Sequence, residues 1–194
     1  MLVLPQADPC VRIMGIDPGT DRLGCAILEV NLETARVRVK IAQTFKSTNA
    51  PTRYPVVSEV HGNRVAKHHF LRDEISYVLA TELPGVVASE SPFMGKLAQA
   101  FEALIQVVYI VRLALFDHDT QLPLLLIDPP TVKKGVGAKG NADKDVMKEA
   151  VCNLPLEWAE GIVPEELDEH SIDAIAVAWN RVASIFAVCK VGQP

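Results

Sequence analysis

The sequence is defined first by what it has little of. Aromatic side chains make up only 6% of the 194 residues, while 49% are hydrophobic, an ordinary globular composition that excludes a disordered or fibrous chain. The four cysteines, at 10, 25, 152 and 189, form no C-x-x-C pair. A chain of this length does not need disulfide staples, so they read as thiols in a reducing compartment. Residues 1–12 contain Pro5, Asp8 and Pro9 and no basic leader, so no secretory signal is expected. The most apolar stretch, ALIQVVYIVRLALF at 103–116, is short for a bilayer and carries Gln106 and Arg112. The expectation is a soluble cytoplasmic protein with no membrane partner. Positive charge is also scarce: 19 basic against 24 acidic side chains give a net charge of −5. Such a balance argues against a broadly basic nucleic-acid-binding surface, although an average can hide a local patch.

No internal repeat or domain boundary is evident, so residues 1–194 are expected to form one domain behind a loose leader, 1–10. VRIMGID (11–17) and RLGCAILEV (22–30) read as strands around a Pro-Gly turn. ARVRVKIAQTF (35–45) alternates apolar and basic residues, the pattern of a strand with one wet face. NLET (31–34) makes a hairpin turn. Residues 46–54 read as a loop, 56–81 as a helix, GVVASE (85–90) as a buried strand, 95–116 as a long helix and PLLLIDP (123–129) as a further strand. TVKKGVGAKGNADK (131–144) reads as a loop, either throughout or after an opening helical turn, with a helix at 143–153 and a connector at 155–167. The final helix, 168–189, repeats Ile172, Ile175, Trp179, Val182, Phe186 and Cys189 at three to four residues, which predicts a core-facing stripe. The plan is α/β with a mixed sheet, three antiparallel strands followed by parallel ones, flanked by helices.

Acids stand at special places in this plan. Asp17 ends the first strand and Glu90 ends the fourth. His170 and Asp173 sit three apart near the start of the last helix, on one face. A strand-ending Asp before Pro-Gly also suits a plain turn, and SESP around Glu90 also suits a solvated helix start. Asp173 is more telling, because a lone charge between Ile172 and Ile175 is costly. Carboxylates gathered at one sheet edge repel unless a cation neutralises them, and such oxygen-rich sets suit Mg²⁺ or Mn²⁺. A pair of such ions can activate water and stabilise the leaving oxygen of a phosphodiester.

The order of these motifs resembles that of RuvC-type Holliday junction resolvases over roughly residues 12–186. GIDPGTDRLGCAIL is similar to the family's opening, with Leu23-Gly24 where Thr-Gly is usual. ASESPFMGKLAQA matches its acid followed three residues later by Phe. TVKKGVGAKGNADKDVMKEAV matches its Lys/Gly-rich stretch, and DEHSIDAIAVA its closing acid helix. The resemblance implies a ribonuclease H-like fold and a homodimeric endonuclease that cuts branched DNA with two divalent ions, leaving 5′-phosphate and 3′-hydroxyl ends. It makes Asp17, Glu90 and Asp173 metal-binding carboxylates. His170 stands where many members have Asp and some have His, so it serves as a ligand or in water activation, with Asp168 and Glu169 as substitutes in another helix register. An imidazole in the set favours Mn²⁺. The divergent leader, acidic balance and altered first motif lean toward a phage or atypical member.

The same resemblance places Lys133 and Lys144 near the scissile phosphate. Four lysines (133, 134, 139 and 144) against Asp143 make this segment net +3, the local patch hidden by the average. Lys134 and Lys139 are expected to contact backbone farther off. Phe93, with Met94 beside it, is expected at a helix start as a wedge stacking on opened bases, or else in the core. A four-way junction suits a two-fold dimer, and helix 95–116, apolar on most of its circumference, is either the interface or wholly internal. Three rival readings remain: a YqgF-like nuclease acting on RNA, an actin-like ATPase or sugar kinase, and a junction-binding module without cleavage.

Overall fold

A computed structural model describes residues 9–94 and 97–191, with side chains through Ala187. The strands are β1 (Cys10–Asp17), β2 (Arg22–Asn31), β3 (Val37–Lys46), β4 (Val86–Glu90), β5 (Leu124–Ile127) and β6 (Leu156–Trp158). The helices are α1 (Ala50–Arg53), α2 (Pro55–His61), α3 (Asn63–Glu82), α4 (Ala98–His118), α5 (Pro129–Gly135), α6 (Lys144–Cys152) and α7 (Glu169–Val191). One sheet runs in the order β5-β4-β1-β2-β3-β6. β1, β2 and β3 pair antiparallel, while β4, β5 and β6 join parallel to their neighbours, the mixed sheet expected.

The sheet has two faces because alternate side chains point opposite ways. Ile13, Ala26, Leu28 and Ala88 meet α5, α6 and α7 on one face. Met14, Ile16, Leu23, Cys25, Ile27 and Val87 meet α3 and α4 on the other. By this alternation Asp17 and Glu90 belong to the α7 face. The β1–β4 register runs to Ile16 opposite Ser89, so the next residues, Asp17 and Glu90, end adjacent strands side by side.

Several expectations are corrected. The leader 1–10 lies outside the described residues through position 8, and Cys10 already opens β1. Residues 46–54 hold a 3₁₀ turn and α1 rather than a loop, and the helix expected over 56–81 is two, α2 and α3. The break is Gly62, whose φ of 89° and ψ of 160° no helix contains. Segment 131–144 does open with the helical turn that one reading allowed: Asp128 accepts the Thr131 N–H and Pro129-Pro130 fill the first turn, so α5 runs through Lys133 and Lys134. The connector 155–167 contains β6, which pairs with β3.

The long helix starts at Ala98 rather than 95, and Phe93 precedes it in an irregular stretch. Helix α4 buries Ala103, Val107, Val108, Val111, Ala114 and Leu115. Its other face stays exposed at Ile105, Tyr109 and Phe116, so it is not wholly internal. By length and composition alone, α4 is a helix that could cross a membrane. On α7, Ile172, Ile175 and Val182 are buried, whereas Trp179 and Phe186 are half-buried. The Cys189 side chain lies outside those described.

Candidate active site

Two glycines set the geometry of the site. A Cβ at Gly15 would stand 2.1 Å from the Ala174 carbonyl oxygen, and one at Gly24 would stand 2.0 Å from that of His170. Only bare backbone at these points lets α7 lie directly on β1 and β2. The helix thereby delivers its first turns to the tip of β1. Asp168 accepts the Ser171 N–H (3.0 Å) and the Thr44 hydroxyl (2.6 Å), fixing where α7 begins. Both bonds fall on Oδ1 of Asp168, and the residue does not line the groove that holds Asp17 and Glu90.

Asp17, Glu90 and Asp173 line one groove of about 950 Å³, together with Lys133, Lys144 and Glu169. Burial pushes the Glu90 carboxyl up to about 7, with the charges of Asp17 and Asp173 adding to the shift. Burial likewise raises Asp173 to about 6, again reinforced by Asp17. Among the described residues neither carboxylate side chain has a hydrogen-bond partner or ion pair. Lys133 opposes both shifts, but its Nζ donates to the Ala142 carbonyl (2.6 Å) and pairs with neither acid.

His170 does not line the groove; it backs Asp17. Its Nδ1 lies 2.7 Å from Asp17 Oδ2, and its Nε2 lies 3.5 Å from Glu169 Oε1. The hydrogen bond to Asp17 is the main cause of a raised imidazole pKa. Glu169 in turn forms an ion pair with Lys144. A continuous line therefore runs Lys144, Glu169, His170, Asp17.

These donors suit a hard divalent cation: carboxylate oxygens converge on one groove and repel one another there, with no side-chain cation paired to Glu90 or Asp173. Among the described residues no three His, Cys, Asp or Glu side chains already stand at metal-ligand spacing.

The remaining expected residues lie outside the groove. Lys134 and Lys139 are exposed on and after α5. Phe93 and Met94 are 69% and 67% exposed, which overturns a core role for Phe93. Two contributors escaped sequence reasoning. Lys148 lines the groove, and its Nζ donates to the Glu165 (2.6 Å) and Leu167 (2.9 Å) carbonyls, tying α6 to the turn before α7. Asn180 donates from Nδ2 to the Thr131 and Val132 carbonyls and so anchors α5, and with it Lys133, against α7. Lys148 follows Lys144 by one helical turn, which is the only signal that could have found it.

Comparison with known proteins agrees with this architecture. The family model described as crossover junction endodeoxyribonuclease RuvC matches residues 13–180. The crossover junction endodeoxyribonuclease RuvC of Dehalococcoides mccartyi is 32% identical over 168 residues, covering 87% of this chain and 89% of that protein. The Thermomicrobium roseum counterpart is 30% identical over 172 residues, covering 87% and 92%. Thermus thermophilus RuvC in complex with a Holliday junction substrate superposes with a TM-score of 0.70 at 21% identity, covering 95% of this chain and 99% of that one, and so shares the fold. The chain belongs to the crossover junction endodeoxyribonuclease RuvC family, with its ribonuclease H-like mixed sheet.

Proposed function

We propose that this chain resolves Holliday junctions and related branched DNA as a divalent-metal-dependent endonuclease, with Asp17, Glu90 and Asp173 holding two Mg²⁺ or Mn²⁺ ions. The observation that carries the reading is the meeting of these three carboxylates in one groove beside Lys133 and Lys144, in a chain of this family. The bound ions supply an activated water and charge stabilisation at the scissile phosphodiester.

The chain's own groups do the positioning. His170 donates from Nδ1 to Asp17 Oδ2 and fixes that carboxylate's rotamer, leaving its other oxygen for the groove. Lys133 and Lys144 face the groove and neutralise charge building on the phosphate, Lys144 after leaving Glu169. Lys134 and Lys139 meet the DNA backbone farther out. Phe93 and Met94, held in solvent beside the strand that carries Glu90, stack on bases opened at the crossover.

Cutting two strands in step calls for a two-fold dimer. The exposed apolar stripe of α4, with Ile105, Tyr109 and Phe116, is the surface that a second copy covers. The products carry 5′-phosphate and 3′-hydroxyl ends, and the place of action is the cytoplasm, where the DNA is.

The test offers labelled four-way junction, linear duplex and RNA–DNA hybrid to the protein with Mg²⁺ or Mn²⁺. Paired symmetric nicks confined to the junction are expected, and an Asp17→Asn variant that binds the junction without cutting it. Cleavage of the hybrid in preference to the junction would replace this reading with an RNA-directed one.

A further inference from the structure

Several basic side chains of this acidic chain are held in ion pairs. Arg12 pairs with Glu29, Lys40 with Glu82 and Arg53 with Glu74. Arg22 and Lys46 stand apart from these by their placement. They are directly opposed in the antiparallel β2–β3 register, and both are exposed. Their Cα atoms are therefore roughly 5 Å apart. Among the described residues neither side chain has an ion pair or hydrogen bond. The adjacent acid, Asp21, is drawn away by Lys67. Like charges opposed across a strand pair destabilise a sheet, so this arrangement calls for an anion.

Their position supplies one. Leu23 and Phe45 point into the α3–α4 face, so Arg22 and Lys46 point to the α7 face, the side of the groove. Arg22 lies two residues beyond Gly24, the partner of Asp17, which is about 7 Å farther along the strand. The platform is firm. Buried Ser47, next to Lys46, donates its N–H to the Asp21 carbonyl (3.0 Å) and its hydroxyl to the Thr20 carbonyl (2.7 Å). The turn before Arg22 is thus locked to the end of β3.

We infer that Arg22 and Lys46 form a phosphate clamp that grips the DNA backbone beside the cleavage groove, on its β2–β3 side and separate from the lysines of 131–144. The inference rests on the proposed junction-binding function. Contacts to phosphate read charge, not sequence, so the clamp serves any DNA arm.

The experiment measures binding of a fluorescent four-way junction to metal-free full-length protein by anisotropy across a salt series. The Arg22→Gln/Lys46→Gln double variant is expected to weaken binding about tenfold or more and to lower the slope of log K against log salt by about 2, near 0.9 per lost phosphate contact. The loss is the same for junctions of different sequence. The charge-keeping Arg22→Lys/Lys46→Arg variant retains wild-type affinity. The Gln variant's melting temperature equals or exceeds that of the wild type, because a repulsion has gone. Unchanged affinity and slope would overturn the clamp, and so would a lower melting temperature, which would mark the pair as structural. Failure of the wild type itself to bind the junction would overturn the proposed function instead.

Discussion

The two faces of the central sheet differ most where a helix crosses the tips of β1 and β2. Toward α3 and α4, large side chains interlock: Met14, Ile16, Leu23 and Ile27 bury against Leu71, Ile75 and Leu79. Each such side chain contributes about 1.5–3 kcal/mol by leaving water. Toward α7 the strands thin to Gly15, Gly24, Ala26 and Ala88, and the helix answers with Ala174, Ala176 and Ala178. Small residues contribute little burial, but they let backbones touch. The α3–α4 face is bulky throughout, whereas the α7 face, bulky at Ile13, Leu28, Val30 and Val39, gives up bulk at these crossing points to bring Asp173 and His170 to Asp17 and Glu90. The α7 face accepts repelling buried acids because its task is chemical.

The sharpest way to break this comparison is to put bulk on the thin face. Gly24→Val drives a side chain into the His170 carbonyl and toward Asp17, whose Cβ would be only 3.2 Å from the first new carbon. Junction cleavage should fall by more than about a hundredfold, as when supports of a metal site are lost. Circular dichroism should still report a folded chain, and wild-type cleavage would show that the close approach is dispensable. The converse change, Met14→Ala, hollows out the thick face. It should cost about 2–5 kcal/mol in urea unfolding while leaving the cleavage rate of the folded fraction intact. Loss of rate without loss of stability would reverse the roles given to the two faces.

Helix α4 closes the thick face and still shows apolar residues outward. Tyr109→Glu, on that outer stripe, should convert the proposed dimer to monomer in analytical ultracentrifugation and leave the melting temperature of dilute protein within a few degrees. A wild-type chain that sediments as a monomer would remove α4 as the covering surface. The smallest effect concerns pH. Glu90 rises from 4.5 to about 7 and Asp173 from 3.8 to about 6, so the folded chain holds protons that the unfolded chain has shed. Stability from these groups is present at low pH and is lost as pH rises through that window. His170, raised above its ordinary 6.5, adds a loss of the same sign at higher pH. Metal-free Glu90→Gln should therefore gain stability over the wild type between pH 5 and 8, with the gain growing as pH rises. Parallel wild-type and variant curves would deny the burial of that charge.

Much of the chemical face was legible. Asp17 and Glu90 each end an apolar run abruptly, and Asp173 interrupts a buried stripe, so each announces a charge where water is scarce. The antiparallel start was readable from alternation, and Asn31 makes the expected turn by accepting the Glu33 and Thr34 N–H groups. What escaped depends on distant partners. β6 is three residues long after a proline, and only its pairing with β3 makes it a strand. Gly62 was hidden within a helical composition, although its position ends α2 sharply. The α5 start, Asp-Pro-Pro, was a readable capping signal overshadowed by the glycines that follow it. Lys148 and Asn180 bond only to carbonyls remote in sequence, which no spacing rule reveals. The lysine segment was legible as charge, but the pairing of Lys144 with Glu169 was not, because it joins two helix starts.

The central claim is that Asp17, Glu90 and Asp173 act together as one site awaiting cations. Calorimetric titration of Mn²⁺ into DNA-free protein tests it most directly. Wild type should bind Mn²⁺ with release of protons near pH 6, since Glu90 and Asp173 must ionise to bind it. Asp17→Asn, Glu90→Gln and Asp173→Asn should each weaken that binding about tenfold or more while remaining folded. Mn²⁺ binding that is unchanged in all three variants would contradict the account.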